Sequence, residues 1–161
     1  MNMKTPNPAY LKRIYEIVNT SPYFELLSMK LMDVGVGYAS LEIAVAKKHL
    51  QPYGMVHGGV FASIIDAAAF WSVYFGIQDT AAGLTTVDLK LNYLAPAASG
   101  KLLARGRQIK VGRTLGYAEA QIVDQSDTVL AHGTSTVIIL PGKALEADPP
   151  LPPKFIERRD R

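Results

Sequence analysis

One acidic residue interrupts a long apolar segment near the middle of the chain. Between residues 60 and 75 almost every position is apolar, and Asp66 is the only charged one. A carboxylate inside an apolar helix is unfavourable unless it is satisfied, so Asp66 is a candidate site residue. A carboxylate can act as a general base or as a nucleophile. The sequence contains no cysteine that could take the second role.

A pair of glycines precedes this segment. Gly58 and Gly59 directly follow His57, and glycine lets a small group approach the backbone closely. The first N–H groups of a helix have no partner within it and lie at the positive end of its dipole. The pattern therefore predicts a helix start that binds an anion or a developing negative charge. A tight helix entry is the alternative explanation for the two glycines.

The histidines do not indicate a metal site. His49, His57 and His132 lack the spacing of a zinc site, so we expect no metal. His49 and His132 are predicted to be structural. His57 either caps or packs at the helix entry or takes part directly in the site.

The surrounding patterns predict how the apolar segment is enclosed. A helix that is apolar nearly all round must be covered nearly all round. Upstream, helical periodicity predicts an amphipathic helix over Pro8–Asn19, and Ser21 followed by a proline predicts a short helix over Pro22–Leu27. Two strands, at residues 30–36 and 38–46, follow and are joined tightly around glycines.

Downstream, the pattern changes from helical to alternating. Residues 85–93 alternate strictly and predict a strand, with Val87 and Leu89 on one face and Thr86 and Asp88 on the other. Three more strands are predicted at 102–111, at Leu115–Val123 and at 128–140, separated by turn residues.

One face of the last two predicted strands consists of small residues: Gly116, Ala118, Ala120, Ala131, Gly133 and Ser135. Small side chains let a sheet curve closely around a helix. No crossover helices separate the strands, which argues against a parallel βαβ fold. We therefore predict an α+β fold in which a long central helix is wrapped by a curved antiparallel sheet of five to six strands.

Size and composition are those of one folded domain, since the chain has 161 residues and is 48% hydrophobic. We predict an N-terminal helical segment at 1–28, the domain itself at 29–141 and a proline-rich basic tail, extended or loose, at 142–161.

The net charge of +3 reflects this tail and an acid-free run at 101–113. Neither is interleaved with aromatic residues, so we expect no nucleic-acid partner. The run is either a solvated strand face or a contact for a small phosphate-bearing ligand.

A membrane location is not expected. Only residues 54–77 are long and apolar enough to cross a bilayer, and Asp66 would then lie near its centre at a cost of about 2.5–3.5 kcal/mol. Residues 1–19 lack the continuous apolar core of a signal peptide. The lack of cysteine is compatible with a reducing compartment. We therefore expect a cytoplasmic protein.

Several spaced motifs together resemble the hotdog-fold thioesterases, in particular the branch with phenylacetate-degradation (PaaI-like) and 4-hydroxybenzoyl-CoA-type acyl-CoA thioesterases. The resemblance extends over about residues 23–140. Its motifs are Gln51-x2-Gly54-x2-His57-Gly58-Gly59, Asp66, Thr86-Val87-Asp88-x3-Asn92-Tyr93-x2-Pro96 and Gly112-Arg113.

The resemblance implies hydrolysis of an acyl-CoA to a carboxylic acid and CoA. Asp66 would attack the thioester carbonyl or activate a water, and the backbone N–H of Gly58 would bind the carbonyl oxygen. Gln51 would help to align the substrate and His57 would shape the same end. CoA is part of the substrate, so no cofactor is implied.

The resemblance also implies substrate contacts from Gly59, Asn92, Tyr93, Gly112, Arg113 and Thr114, with Gly112 and Arg113 near the CoA phosphates. The chain departs from the benzoyl-CoA pattern at two positions, because it has Asp66 where many relatives have Glu and Phe70 where they have Ser or Thr. Thr86 is therefore the predicted water-orienting hydroxyl.

Spacing alone adds a prediction about assembly. Asp66 lies eight residues after Gly58, which places them roughly 12 Å apart along one helix. One carbonyl cannot contact both groups of one helix. If both act on it, they must come from two subunits related by a two-fold axis. We therefore expect a homodimer or a dimer of dimers.

Two other functions remain open. A non-catalytic acyl-CoA-binding or sensing protein would bind CoA esters without turnover. A hydratase or dehydratase on the same fold would need an acid and a histidine close together on one segment, and no histidine follows Asp66 before His132.

Overall fold

The computed structural model describes residues 4–157 of the chain. The helices and strands, in chain order, are β1 (Lys4–Pro6), α1 (Pro8–Asn19), α2 (Pro22–Leu27), β2 (Met29–Gly35), β3 (Tyr38–Ala44), α3 (Gly58–Tyr74), β4 (Gly83–Tyr93), β5 (Lys101–Val111), β6 (Leu115–Val123), β7 (Val129–Leu140) and β8 (Phe155–Glu157). Every predicted helix and strand is present, with ends displaced by at most two residues. The two short strands β1 and β8 were not predicted.

The main sheet has six antiparallel strands in the order β2-β3-β5-β6-β7-β4, and α3 packs across one face of it. Ile64, Ile65, Ala68 and Ala69 of α3 are fully buried against the sheet. This is the predicted α+β architecture of a long helix on a curved antiparallel sheet.

A row of small residues crosses the sheet where α3 lies closest to it. Ala39 pairs with Gly106, Gly106 with Ala120, and Ala120 with Gly133. A Cβ atom on Gly106 would collide with the backbone carbonyl of Ala68 on α3. The small-residue face predicted on β6 and β7 is confirmed, and it continues onto β5 and β3, where it was not predicted.

The chain does not cover α3 on all sides, contrary to the expectation for so apolar a helix. One stripe of the helix remains exposed or half-buried, and it consists of Gly59, Ala62, Ser63, Asp66, Ala67 and Phe70. Most of these side chains are small, so a second helix could approach this stripe closely.

A β-bulge in β4 changes which side chains face α3. The register between β4 and β7 shifts between Thr86 and Asp88, and Val87 is 55% exposed. A bulge adds one residue to a strand and so reverses the alternation on either side of it. Strict alternation placed Thr86 and Leu89 on opposite faces. In the structure both are half-buried on the helix side.

The termini pack against the domain. β1 pairs with β8, and the Nζ atom of Lys154 donates to the carbonyl oxygens of Tyr74 at 2.8 Å and Ile77 at 3.3 Å. The described part of the predicted tail is therefore bound to the C-terminal end of α3 through Lys154. Residues 158–161 lie outside the described chain. No helix within residues 4–157 is long and apolar enough to span a bilayer.

Candidate active site

Only one amide in the first turn of α3 is available to a ligand. The Gly59 N–H donates to Nδ1 of His57 at 2.8 Å, and the Val60 N–H donates to the His57 carbonyl at 2.9 Å. Among residues 4–157 no acceptor is found for the Gly58 N–H. That donor lies at the positive end of the helix dipole and can bind a negatively charged oxygen.

His57 is the N-cap of α3. Because its Nδ1 accepts a hydrogen bond, the neutral ring carries its proton on Nε2. The backbone N–H of His57 donates to the carbonyl of His49, and His49 is a buried residue. His49 donates through Nε2 to the Leu27 carbonyl and accepts through Nδ1 from the Ala46 N–H. The structural role predicted for His49 is confirmed.

Tyr93 contacts the residue whose N–H is free, through the carbonyl of that residue. Its hydroxyl donates to the Gly58 carbonyl at 3.1 Å, and a Cβ atom on Gly58 would lie 2.9 Å from that hydroxyl oxygen. Position 58 therefore accommodates glycine without displacing Tyr93. This close approach, in addition to backbone flexibility, explains the first glycine of the pair.

The Gln51 loop forms the opposite wall of a cavity at the helix start. The Gln51 side-chain oxygen accepts from the Tyr53 N–H, and the Gln51 N–H donates to the Met55 carbonyl at 2.7 Å. The side-chain amide group of Gln51 retains its N–H donors for a ligand. The cavity has a volume of about 510 Å³ and is lined by Gln51, His57, Gly58, Gly59, Phe61, Tyr93 and neighbouring residues.

Asp66 lies on the half-buried stripe of α3 and is held by Thr86. The Thr86 hydroxyl donates to Oδ1 of Asp66 at 2.8 Å. Burial raises the pKa of Asp66, and the Thr86 hydrogen bond partly offsets that rise by stabilising the carboxylate. The second carboxylate oxygen, Oδ2, receives no hydrogen bond from the residues described and can contact water or a substrate.

Asp66 lines a different cavity from Gly58. This second cavity has a volume of about 470 Å³ and is lined by Tyr23, Phe24, Met29, Ala62, Ser63, Asp66, Ala67, Phe70, Trp71 and Leu89. The two cavities have no lining residue in common. Both groups belong to the single helix α3, so their axial separation follows from its rise per residue.

The remaining predicted substrate-binding residues lie away from both cavities. Asn92 is exposed and pairs with His132, which places it on the face of the sheet opposite α3. Gly112, Arg113 and Thr114 form the exposed turn between β5 and β6. This turn lies at the end of the sheet that carries Thr86.

Much of the basic run on β5 is neutralised within the chain. Lys101 pairs with Glu42 at 2.9 Å, Arg105 pairs with Asp127 at 3.0 Å, and Arg107 pairs with an oxygen of Glu119 that faces it across the sheet. These pairs favour the solvated-face interpretation of that part of the run.

Three residues beside Asp66 were not predicted from the sequence. Ser63 shares a helix face with Asp66 because it lies one turn earlier, and this spacing could have identified it. Tyr23 and Phe24 come from α2, and no pattern in the sequence relates them to the site. Within residues 4–157, no group of three metal-binding side chains comes together.

Comparisons with known proteins identify the family. The family model of the thioesterase superfamily matches residues 53–131. A protein of Halobacterium salinarum whose name places it among esterases is 33% identical over 129 residues, which span 78% of this chain and 85% of the relative. A 1,4-dihydroxy-2-naphthoyl-CoA hydrolase of Listeria monocytogenes is 26% identical over 117 residues, 71% of this chain and 93% of that enzyme.

A crystal structure of a thioesterase of Haemophilus influenzae superposes with a TM-score of 0.78 at 18% identity, covering 90% of this chain and all of that one. The predicted hotdog fold is confirmed, and so is the predicted class of enzyme, a thioester hydrolase. The chain belongs to the thioesterase superfamily.

Proposed function

We propose that the protein hydrolyses acyl-CoA thioesters at a site shared by two subunits, with Gly58 from one and Asp66 from the other. The observation that supports this proposal is the placement of the two groups. The free Gly58 N–H and the Thr86-bound carboxylate of Asp66 lie in separate cavities of one chain. A single thioester carbonyl can contact both only if a second copy supplies one of them.

The two groups have complementary roles in the reaction. Attack on the thioester carbonyl places negative charge on its oxygen, which the Gly58 N–H stabilises from the helix terminus. Asp66 either attacks the carbonyl carbon itself, forming an acyl-enzyme anhydride that water then hydrolyses, or removes a proton from an attacking water. In both cases the C–S bond breaks, the CoA thiolate takes up a proton, and the carboxylic acid is released.

Thr86 and Gln51 have positioning roles in this proposal. The Thr86 hydroxyl holds Oδ1 of Asp66 and so directs Oδ2 toward the substrate or the water. The side-chain amide of Gln51 faces the Gly58 cavity and would donate to the acyl carbonyl or to the pantetheine chain. Arg113, in the exposed turn, is proposed to contact the CoA phosphates, as the family resemblance implies.

The exposed stripe of α3 supports a two-fold arrangement. The midpoint between Gly58 and Asp66 is Ala62, and the stripe around Ala62 consists mainly of small residues. Two antiparallel α3 helices crossing at Ala62 would bring Gly58 of one copy beside Asp66 of the other. The same contact would cover the part of α3 that a single chain leaves open.

The edge strand β4 is compatible with the same axis. β4 ends the sheet order and pairs only with β7 among the described strands. Tyr93 contacts Gly58 and Thr86 contacts Asp66, so β4 runs antiparallel to α3. The midpoint of Tyr93 and Thr86 lies between Leu89 and Lys90. Antiparallel pairing of two β4 strands about that point would place the Tyr93 of one copy near the Thr86 of the other.

A panel of acyl-CoA substrates tests the activity. Thiol release should be detected with the parent protein, and the Asp66→Ala variant should lose most of the rate because the attacking or proton-accepting group is gone. Saturable binding of CoA esters without thiol release would refute hydrolysis and support a binding protein. An Asp66→Ala variant as fast as the parent would refute the mechanism.

Mixed dimers test the shared site. Asp66→Ala and Gly58→Pro homodimers should both be inactive, since every site contains one defect. When equal amounts are unfolded together and refolded, half of the dimers are mixed, and each mixed dimer has one intact site. Activity should then recover to roughly one quarter of the parent value. No recovery, together with mixed dimers demonstrated by differential tags, would place both groups in one subunit's site.

A further inference from the structure

The cavity beside Asp66 has a wall that lies outside the residues matched by the family model. Tyr23 and Phe24 of α2 and Met29 of β2 line it opposite α3. The match to the family model begins at residue 53. This wall is therefore formed by residues N-terminal to that match, and it adjoins the group that the proposed reaction needs.

The chemistry of the lining excludes some ligands. Four of the ten lining residues are aromatic, and none is basic. The only charge is Asp66 itself. An acyl group that carried a carboxylate would lose its hydration without gaining a cationic partner, and it would be repelled by Asp66. An uncharged apolar group would gain favourable burial.

The wall is fixed in place by hydrogen bonds. Ser63 donates to the Gly59 carbonyl at 2.8 Å, so its single proton is used there. The Tyr23 hydroxyl, 2.6 Å from the Ser63 oxygen, must then be the donor of that second bond. At the other end of α2, His49 donates to the Leu27 carbonyl at 2.8 Å. Both ends of α2 are thus attached to residues that also hold the start of α3.

We propose that this cavity binds the acyl group and that Tyr23 and Phe24 set its specificity toward uncharged, apolar acyl chains or rings. The proposal rests on the proposed acyl-CoA hydrolysis. Met29, which is 2% exposed, and Phe24 both line this cavity.

A matched pair of substrates tests the charge selection. Hexanoyl-CoA and adipoyl-CoA have equal chain lengths and differ in one terminal carboxylate. The parent protein should prefer hexanoyl-CoA by roughly a hundredfold or more in kcat/KM. From acetyl through butanoyl to hexanoyl, kcat/KM should rise roughly fourfold for each added methylene. This factor corresponds to the free energy of about 0.8 kcal/mol that is gained by burying one methylene group. Equal rates for hexanoyl-CoA and adipoyl-CoA would overturn the proposal.

A matched pair of variants tests the wall. Phe24→Ala should lower kcat/KM for hexanoyl-CoA by roughly tenfold or more and leave acetyl-CoA hydrolysis within about twofold. Leu26→Ala on the same helix is the control, because Leu26 is 64% exposed and does not line the cavity. It should behave as the parent toward both substrates. Should Phe24→Ala not fold, Phe24→Leu provides the same comparison with a smaller change in volume.

The outcomes separate this inference from the proposed function. If no acyl-CoA is hydrolysed, the proposed function fails first. If acyl-CoAs are hydrolysed in an Asp66-dependent way, but the loss caused by Phe24→Ala is the same for acetyl-CoA and hexanoyl-CoA, then only the acyl-site assignment is wrong.

Discussion

The free N–H of Gly58 can be tested directly, because a substitution can remove it without disrupting the helix. Proline lacks an N–H and is well tolerated at the first position of a helix. Gly58 occupies that position in α3, and the preceding residue, His57, has φ −64° and ψ 137°. That conformation is one that a residue before proline prefers. Gly58→Pro should therefore remove one donor with little change to α3.

The expected effect is the full value of an oxyanion donor. The amides of Gly59 and Val60 are already bonded within the helix start, so no other first-turn amide can replace that of Gly58. Loss of one such donor typically costs about 2.7–4 kcal/mol of transition-state stabilisation. We expect kcat to fall by about 10²–10³-fold, measured as thiol release from the best acyl-CoA of the panel.

The control must account for Tyr93. Any side chain at position 58 presses on the Tyr93 hydroxyl, so both variants are made in a Tyr93→Phe background. Gly58→Ala then adds the Cβ atom and keeps the N–H, whereas Gly58→Pro adds the proline ring, whose Cδ atom replaces the amide hydrogen. If the two double variants turn over acyl-CoA at equal rates, while circular dichroism shows both folded, the amide of Gly58 has no role in catalysis.

Three further predictions concern stability. Burial raises the pKa of Asp66, so the folded protein keeps this proton at pH values where the unfolded chain has lost it, and the ionised group destabilises the fold above that pKa. Asp66→Asn should thus be inactive yet more stable than the parent toward urea at about pH 7, and this difference in stability should shrink toward pH 4. If Asp66→Asn is instead less stable than the parent, Asp66 is a structural acid. Burial lowers the pKa of Lys154 to about 8. Urea unfolding should therefore show the parent gaining stability relative to Lys154→Met as the pH rises from about 7 toward 10, and a stability difference between the two that does not change with pH would contradict this. Gly106→Val should destabilise the fold by about 1–3 kcal/mol or more in urea unfolding, because its Cβ atom meets the Ala68 carbonyl, whereas Gly112→Ala in an exposed turn should have little effect.

The order of the elements and the identity of the central helix could be predicted from the sequence. Amphipathic and alternating patterns are local, and they located every element of the main sheet because each pattern reflects which side of one segment is buried. The same holds for Asp66, since a lone charge in an apolar helix is visible without coordinates. The distance between Gly58 and Asp66 also followed from the sequence, because the rise of a helix is constant.

The partner of Asp66 could be named from the sequence only by resemblance. Strict alternation placed Thr86 on the face of Asp88 and away from the helix, and only the bulge at Val87 turns its hydroxyl toward Asp66. A bulge depends on how two strands pair, and strand pairing is not encoded in the period of either strand alone. The resemblance named the residue, and the tertiary structure supplied the contact.

The availability of the amides and the shape of the acyl cavity were likewise decided by the fold. The three first-turn amides look alike in sequence, and the His57 side chain and carbonyl leave only that of Gly58 unbonded. Tyr23 reaches Ser63 across forty positions of chain because α2 packs beside α3. Sequence patterns thus determined what each segment is and which residues could react. Long-range packing determined which groups meet, since contacts between segments depend on the path of the whole chain.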